Sequence, residues 1–433
     1  MQTLAGIILC AGKGSRMGAD CPKILYKIAG KSLYSWSLDS AIALKAHPII
    51  LTLGHQYKLI KKDLDNNYRN RKNQINITIQ KNQLGTGHAV GVALKALANF
   101  DGTILILYGD TPLLKIETLK SLINLHRKLN SDISMLTSHV SNPTGYGRIL
   151  RHGSITSIVE EFHATSEQKL IREVNSGVYL FNSSFLKKNI HKLKVNASNE
   201  IYLTDLINLT SKPVESIIVS ENEILGVNNL IQLSNVEKIL CKRINEYWML
   251  NGVHIVDPET TYIDFKVQIS KGAVLEPGVV LIGSCKILPE AIIKSYSILE
   301  DVTIGENSHI GPFANIRPKT IIGSKCKIGN FVELKESNVQ KRTKINHLSY
   351  VGNSSIGKFC NIGAGSITCN YDSYHKYDTR IGNEVFVGSN TTLIAPLCVH
   401  SGSYIAAGST INNDIPKKTF AIGRSFQQNK QIK

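Results

Sequence analysis

The sequence predicts two domains of different fold class, a Rossmann-like α/β domain and a parallel β-helix of hexapeptide repeats, with a linker helix between them. Three observations support this prediction. Strand-like and helix-like stretches alternate in the first half of the chain, one long helical pattern follows, and aliphatic residues then recur every six positions. The 433 residues suffice for two or three domains. We place the parts at residues 1–226, 227–250 and 251–424, with a short tail at 425–433.

In the first domain, apolar strand-like runs alternate with amphipathic stretches. Helical patterns cover residues 88–98 and 116–129. The strand-like runs are residues 4–9, 48–53, 75–80, 103–107 and 133–137. This alternation predicts a mostly parallel sheet with helices packed on it. Residues 228–250 then carry apolar side chains at helical spacing, which predicts one long helix that bridges the two domains.

The second domain has a six-residue aliphatic period, which is typical of a parallel β-helix with about eighteen residues per coil. The predicted inward positions are Leu275, Leu281, Ile287, Ile292, Ile298, Ile304, Ile310, Ile316, Ile322, Ile328 and Leu334, and later Val351, Ile356, Ile362, Ile381, Val387, Leu393, Val399, Ile405 and Ile411. The series is interrupted near residues 339–350 and 370–380. We expect loops that leave the solenoid there, and such loops often carry function.

The composition is that of a globular protein, with 42% apolar and 19% charged residues. No run of about 18 apolar residues occurs, so we expect no membrane partner. The apolar N-terminus leads directly into a glycine loop rather than a cleavage site, so we expect no signal peptide. The eight cysteines include no C-x-x-C pair, which fits free thiols in a cytoplasmic protein.

The formal net charge of +17 raises the question of nucleic-acid binding. Lysine is spread over the whole chain, however, and an AT-rich genome produces such a bias without selection for binding to DNA. We therefore expect no nucleic-acid partner. A basic surface would still attract substrates that carry phosphate.

A glycine loop follows the first strand-like run, with the sequence L-C-A-G-K-G-S-R-M from Leu9 to Met17. Its small residues allow backbone N–H groups to approach phosphates closely, and Arg16 can bind a polyphosphate. The loop is neither a Walker A motif nor a G-x-G-x-x-G fingerprint, because Gly18 comes one residue late. Many such loops are only turns, and Lys23 in the following P-K pair could be an ordinary surface lysine.

The loop and the P-K pair together resemble the signature of sugar-nucleotide pyrophosphorylases. Further resembling segments follow in order, namely Q-K-N-Q-L-G-T-G-H at 80–88, Y-G-D at 108–110, T-G-Y-G-R at 144–148 and G-V-N-N at 226–229. The resemblance implies Mg²⁺-dependent attack of a sugar-1-phosphate on UTP, with Asp110 and Asn228 as metal ligands and with Arg16 and Lys23 on the phosphates. The implied UTP and product contacts are Leu9, Cys10, Ala11, Gly12, Lys23, Gln80, Gly85, Thr86, Tyr108, Gly109, Asp110, Gly147, Glu160, Asn175 and Asn228.

A second candidate site lies in the β-helix. Arg317 and Lys335 are eighteen residues apart, each directly after a predicted core aliphatic, so they should stack on adjacent coils about 4.8 Å apart. Two cations at that distance repel each other unless an anion lies between them, which favours a phosphate site. The alternative is two solvated surface charges. His347 follows the first interruption of the repeat, in the segment N-H-L-S-Y-V-G.

Nearly the whole chain resembles the bifunctional enzymes that combine N-acetylglucosamine-1-phosphate uridyltransferase and glucosamine-1-phosphate acetyltransferase activities. The resemblance implies a left-handed β-helix and a homotrimer with the acetyl-transfer site between subunits. It also implies that the product supplies peptidoglycan and lipopolysaccharide synthesis. His347 would be the general base, with Glu333 as a candidate for orienting it. The implied glucosamine-1-phosphate contacts are Arg317, Lys335, Tyr350, Asn361 and Lys376, and the acetyl-CoA contacts are Ala364, Asn370, Tyr371, Ser389, Ala407 and Arg424.

The sequence departs from the family pattern in a few places. Cys10 stands where alanine is common, Ser176 where threonine is common, and Gly423 where serine is common. The tail after Arg424 is short, which predicts a weaker affinity for acetyl-CoA. Two other functions compete with the bifunctional enzyme, namely a pyrophosphorylase whose β-helix is only a scaffold, and a binding protein related to translation-factor subunits.

Overall fold

The computed structural model describes residues 3–12, 17, 21–152, 155–196 and 199–432. It divides into two compact units, Met1–Ile239 and Leu240–Lys433. The predicted fold class is confirmed. Arg16, which the sequence assigns to the phosphates, lies outside the described residues.

The first unit is built on a mostly parallel sheet. Its strands are β1 Leu4–Cys10, β2 Lys27–Ile28, β3 Lys31–Ser32, β4 Ile49–Leu53, β5 Ile75–Ile79, β6 Thr103–Tyr108, β7 Ile133–His139, β8 Arg148–His152, β9 Ile155–Val159, β10 Glu173–Asn182 and β11 Glu215–Val219. The main order is β11-β7-β10-β6-β1-β4-β5, in which only β10 runs antiparallel to its neighbours. Strands β8 and β9 extend from β10, and β2 and β3 form a separate pair.

The register of the central strands places their carboxyl ends at one edge. Cys10 of β1 pairs with Leu53 of β4, and Leu9 pairs with Tyr108 of β6. Ligands of parallel α/β sheets bind beyond this edge. The segments that follow β1, β5 and β6 therefore meet where the sequence analysis placed the nucleotide.

The helices have the following bounds: α1 Leu33–Ala43, α2 Tyr57–Asn67, α3 Thr86–Leu94, α4 Ile116–Lys128, α5 Ser166–Lys169, α6 Ser183–Asn189 and α7 Leu230–Leu250. The predicted helices at 88–98 and 116–129 correspond to α3, which a 3-10 turn at Lys95–Leu97 extends, and to α4. Every residue of β1 is buried, as expected for a strand covered on both faces of the sheet.

Helix α7 corresponds to the predicted linker helix. At its start, the side-chain oxygen of Asn229 accepts a hydrogen bond from the Gln232 backbone, a typical N-cap. In the second unit, Ile244 and Trp248 pack against the core of the β-helix. Asn245 is fully buried, and its amide donates to the carbonyls of Pro258 and Thr261 at 2.8 and 2.9 Å. The last turns of α7 thus cover the apolar end of the solenoid.

The second unit is a left-handed parallel β-helix with three faces of stacked short strands. The first face contains His254–Ile255, Val274–Leu275, Ile292–Ile293, His309–Ile310, Lys327–Asn330, Lys344–His347, Asn361–Ile362, Phe386–Val387, Tyr404–Ile405 and Phe420–Ala421. The second face contains Tyr262–Ile263, Val280–Ile282, Ile298–Glu300, Asn315–Ile316, Glu333–Lys335, Tyr350–Gly352, Ile367–Cys369, Thr392–Ile394 and Thr410–Ile411. The third face contains Gln268–Ile269, Lys286–Ile287, Thr303–Ile304, Ile321–Ile322, Asn338–Val339, Ser354–Ile356, Thr379–Ile381 and Leu397–Val399.

Two of the predicted inward positions are wrong by one residue. Ile293 and Leu299 are fully buried, whereas Ile298 is 44% exposed and Ile292 is half-buried. The six-residue steps continue to Leu299, and a step of five residues to Ile304 follows. The sequence analysis placed that short step earlier because aliphatic residues occupy both members of each pair.

The two interruptions of the repeat have different structures. The first is not a loop, because Val339 and Ile345 are both fully buried and the strands around them stay paired. The repeat changes phase there because, once again, two successive inward positions are five residues apart instead of six. At the second interruption the chain does leave the solenoid, between the strands Ile367–Cys369 and Thr379–Ile381. We refer to residues 370–378 as the insert.

Candidate active sites

The first unit contains a cleft of about 1640 Å³ at the carboxyl edge of its sheet. Nearly all of the described residues that the sequence assigned to the nucleotide line it. These residues are Leu9, Cys10, Ala11, Gly12, Lys23, Gln80, Gly85, Thr86, Tyr108, Asp110, Gly147, Glu160, Asn175 and Asn228. The fold thus brings together segments that are up to about two hundred residues apart in the sequence.

Gly109 is the exception, and it does not line the cleft. Its backbone N–H donates to the carbonyl of Leu9 at 3.0 Å, and a Cβ atom at this position would collide with Sγ of Cys10. Gly109 therefore makes room for the thiol of its neighbour. Burial, and secondarily the charge of Asp110, raise the pKa of Cys10, so the thiol stays protonated.

Lys23 connects the two residues that were predicted to hold a metal ion. Its Nζ lies 2.5 Å from Oδ2 of Asp110 and 3.1 Å from Oδ1 of Asn228. Asp110 follows β6 and Asn228 precedes α7, so the contact joins distant parts of the chain. The two oxygens already share one cation, the lysine ammonium, and they fit the hard oxygen ligands that Mg²⁺ requires.

In the part of the chain that the structure describes, no three or more His, Cys, Asp or Glu side chains are grouped so that they could hold a metal ion. A dedicated protein cage for a metal is therefore not found among these residues. This fits an ion that binds through one or two protein oxygens and completes its coordination with phosphates and water.

Glu160 and Asn175 also line the cleft. Burial, more than any neighbour, raises the pKa of Glu160, and Thr204 donates a hydrogen bond to its Oε1 at 3.0 Å. Oδ1 of Asn175 accepts from the Gly177 backbone at 3.0 Å and from the Tyr179 hydroxyl at 2.7 Å. With Oδ1 occupied, Asn175 offers its amide N–H groups to the cleft.

In the second unit, His347 lies at one end of a column of small residues. Asn330 pairs with His347, and the pairing of the strands that follow puts Ala364, Ser389 and Ala407 at the same corner of successive coils. Because neighbouring strands are about 4.8 Å apart, this smooth column is roughly 14 Å long from His347 to Ala407. A thin flexible chain can lie along the column with its end at His347.

The predicted stacking of Arg317 and Lys335 is present. Ile316 pairs with Leu334, so the residues that follow them are adjacent on neighbouring coils. Lys376 of the insert joins them. Its charge, followed by that of Arg317, lowers the pKa of Lys335. The same Lys376 makes an ion pair with Glu336 at 3.7 Å. Three cations meet two carboxylates here, Glu336 on Lys376 and Glu333 on Arg317, so the patch keeps a positive charge suited to an anion.

The hypothesis that Glu333 orients His347 is not supported. Oε1 of Glu333 accepts a hydrogen bond from Arg317 at 2.8 Å, which raises the pKa of the guanidinium. The partner of His347 is instead Asn330, whose Oδ1 lies 2.7 Å from Nδ1. With an oxygen acceptor there, the proton belongs on Nδ1 and Nε2 keeps a free lone pair. Asn330 precedes His347 by one coil, so counting along the repeat could have found it.

The remaining predicted residues are more scattered. Asn361 belongs to the first face, whereas Arg317 and Lys335 stand on the second, so a single chain does not bring them together. In the insert, Asn370 is buried and donates to Oδ1 of Asn353 at 2.6 Å, while Tyr371 is 62% exposed.

Arg424 follows Gly423, which continues the column below Ala407. The side chain of Arg424 lies beside Gly408, one residue beyond Ala407. The structure thus places a cation at the far end of the column from His347, where an anionic group of a bound chain would be held.

The fold and the first cleft define the class of the protein. A Rossmann-like sheet carries a large cleft at its carboxyl edge, and residues 6–176 match the family model of a MobA-like NTP transferase domain. Residues 302–393 match the model of a GMPPB C-terminal domain. The protein is therefore a nucleotidyltransferase whose catalytic domain is followed by a β-helix.

Full-length relatives identify the family. The chain is 42% identical over its whole length to the bifunctional protein GlmU of Pelobacter propionicus, of which it covers 98%. The GlmU proteins of Caldanaerobacter subterraneus and Thermosipho melanesiensis are 40% and 41% identical over 100% of this chain, and it covers 97% and 96% of them. The chain belongs to the GlmU family of bifunctional enzymes. In the described residues, no helix combines the length and apolar character needed to cross a membrane.

Proposed function

We propose that this enzyme makes UDP-N-acetylglucosamine in two steps at separate sites. The β-helix transfers an acetyl group from acetyl-CoA to glucosamine-1-phosphate. The first unit then transfers a uridylyl group from UTP to the N-acetylglucosamine-1-phosphate. The observation that carries the proposal is that each unit has its own candidate site, a nucleotide-sized cleft in one, and a cationic patch and a column of small residues that begins at His347 in the other.

In the uridylyl transfer, a phosphate oxygen of the sugar phosphate attacks the α-phosphorus of UTP, and pyrophosphate leaves. The nucleophile belongs to the substrate, so the protein has to position the reactants and balance charge. Lys23 supplies a cation at the phosphates. Glu160 and Asn175 line the same cleft and would bind the hydroxyl and acetamido groups of the sugar.

Asp110 and Asn228 are the residues that would hold Mg²⁺. The ion would supply charge neutralisation on the triphosphate when bound. In this structure, Nζ of Lys23 lies between the side-chain oxygens of Asp110 and Asn228. The lysine side chain is flexible, so it can also bind phosphate oxygens. The same lysine thus keeps the carboxylate of Asp110 neutralised before the nucleotide binds.

In the acetyl transfer, the 2-amino nitrogen of the sugar attacks the thioester carbonyl. A new C–N bond forms, the C–S bond breaks, and CoA leaves as a thiolate, which finally takes up the proton that the amine loses. Nε2 of His347 takes the amine proton, since Asn330 holds the proton on Nδ1. The pantetheine arm would lie along the column of Ala364, Ser389 and Ala407, which brings its thioester to His347. Arg317, Lys335 and Lys376 would bind the sugar phosphate.

A homotrimer with the acetyl-transfer site between subunits fits the scattered residues. In one chain His347 is exposed, and Asn361 lies on a different face of the solenoid from Arg317 and Lys335. A neighbouring β-helix would complete the pocket by supplying the residues that a single chain leaves apart.

Thiol release from acetyl-CoA tests the proposal. The purified protein should release thiol only when glucosamine-1-phosphate is present, and addition of UTP and Mg²⁺ should then yield pyrophosphate. Release without the amino sugar would indicate simple hydrolysis. If pyrophosphate forms from UTP and N-acetylglucosamine-1-phosphate but no thiol is released, the β-helix is a scaffold and the acetyl-transfer half of the proposal is wrong.

A further inference from the structure

Gln80 has an unusually well-defined environment at the edge of the nucleotide cleft. It follows β5 and is 3% exposed, and its backbone N–H donates to the carbonyl of Leu53 at 2.8 Å. Its side-chain nitrogen donates to the carbonyl of Gly85 at 3.1 Å and lies 2.9 Å from Nδ1 of His88. Gln80 lines the cleft, whereas His88 stands behind it on the first turn of α3.

The carbonyl of Gly85 is one of two groups that orient the amide of Gln80. A backbone carbonyl only accepts hydrogen bonds, so the nitrogen of the amide must face it. Gly85 has φ of 91°, and a Cβ atom there would lie 2.7 Å from the carbonyl oxygen of Ile201. Ile201 also exchanges backbone hydrogen bonds of 2.8 Å with Leu84 and Gly87. The loop is therefore fixed, and so is the direction of the carbonyl.

Both N–H groups of the Gln80 amide are thus engaged, one by Gly85 and one by His88. For this to hold, Nδ1 of His88 must accept, which places the ring proton on Nε2. Oε1 of Gln80 accepts no hydrogen bond from the residues that the structure describes. Since Gln80 lines the cleft, this oxygen is the atom that it offers to a nucleobase.

We propose that His88 is a positioning residue that sets the nucleobase selectivity of the cleft, an inference that rests on the proposed function. Uracil carries an N–H donor at N3, which pairs with an acceptor oxygen. Cytosine has a lone pair at N3, which an acceptor oxygen repels. Without His88, one buried N–H of the amide would lose its partner. Only the carbonyl of Gly85 would then hold the native orientation, so a rotated amide, with its NH₂ group toward the cleft, would compete more strongly and favour cytosine.

The test compares kcat/KM for UTP and CTP in the parent enzyme and in variants of His88. We expect His88→Leu to reduce the UTP to CTP ratio by about tenfold or more, because it removes the acceptor. His88→Asn keeps an oxygen near the position of Nδ1, so its ratio should stay within about threefold of the parent. His191→Leu, which removes an exposed histidine of the same unit, is the matched control.

A structural role for His88 would lower kcat/KM for both nucleotides equally, and an unchanged ratio in His88→Leu would overturn the proposal. The tautomer gives a second test that needs no substitution. In the ¹⁵N NMR spectrum of the parent enzyme, His88 should carry its proton on Nε2, and a proton on Nδ1 would also overturn the proposal. A parent enzyme that does not turn over UTP would instead contradict the proposed function, and the tautomer would still report on His88.

Discussion

His126 should make the first unit sensitive to acid. It lies in the last turn of α4 and is 3% exposed, with Nδ1 2.9 Å from the hydroxyl of Ser134. Burial, and next the charge of Arg127, lower its pKa from 6.5 to about 4, while Asp132 acts in the opposite direction. The folded protein therefore keeps this imidazole neutral at a pH where the unfolded chain already binds a proton.

The size of the effect follows from this difference in pKa. As the pH falls below 6.5, the unfolded state gains protons first, so folding stability is lost until the folded pKa near 4 is reached. At 1.36 kcal/mol per pKa unit, the full loss is about 3 kcal/mol, and about 2 kcal/mol of it falls between pH 7 and pH 5. With a urea m-value of about 3 kcal/mol/M, the midpoint for this unit would shift by roughly 0.7 M.

The assay is urea unfolding followed by circular dichroism at pH 7 and pH 5. The His126→Asn variant cannot titrate in this range, and its side-chain oxygen can accept a hydrogen bond from Ser134. Between the two pH values, the free energy of unfolding of this variant should therefore fall by about 2 kcal/mol less than that of the parent. His191→Asn removes an exposed histidine and is the control. If the parent and His126→Asn lose the same stability on acidification, the buried neutral imidazole does not cause the effect.

Three further predictions separate the two sites. His347→Ala should lower acetyl transfer by about 10²-fold or more and spare uridylyl transfer, both measured by product formation, and an equal loss of both activities would exclude separate sites. Asp110→Ala should do the reverse, and normal Mg²⁺-dependent pyrophosphate release in this variant would remove Asp110 from the metal site. Ala407→Leu should raise the KM for acetyl-CoA about tenfold and leave uridylyl transfer unchanged, because it obstructs the column below His347. An unchanged KM would place the cofactor elsewhere.

The architecture of the β-helix was predictable because the aliphatic period can be read directly from the sequence. Which residue of each repeat faces inward was not predictable everywhere. Ile292 and Ile293, like Ile298 and Leu299, are both suitable for the core, and only their burial in the folded coil distinguishes them. Where two aliphatic residues are adjacent, the sequence does not show a five-residue step, because either residue suits the core.

The placement of the candidate side chains was predictable where they follow the repeat or a motif, and not where the chain folds back. The adjacency of Arg317 and Lys335 follows from coil length alone. The contact of Lys376 with Glu336 depends on the path of the insert, which no periodicity describes. The same holds for the hydrogen bond between Gln80 and His88, since it depends on how the loop before α3 is held.

The insert shows how the solenoid separates the residues that hold it together from the segments that vary at its corners. Adjacent coils are usually seventeen or eighteen residues apart, as for Lys286 with Thr303 or Val280 with Ile298. Across the insert, Ile356 pairs with Ile381, twenty-five residues on, and the ladder continues without a gap. Extra chain can therefore be added at a corner without disturbing the aliphatic interior. Such a scaffold allows substrate-binding segments to be exchanged during evolution, because the stability of the domain continues to come from the aliphatic interior.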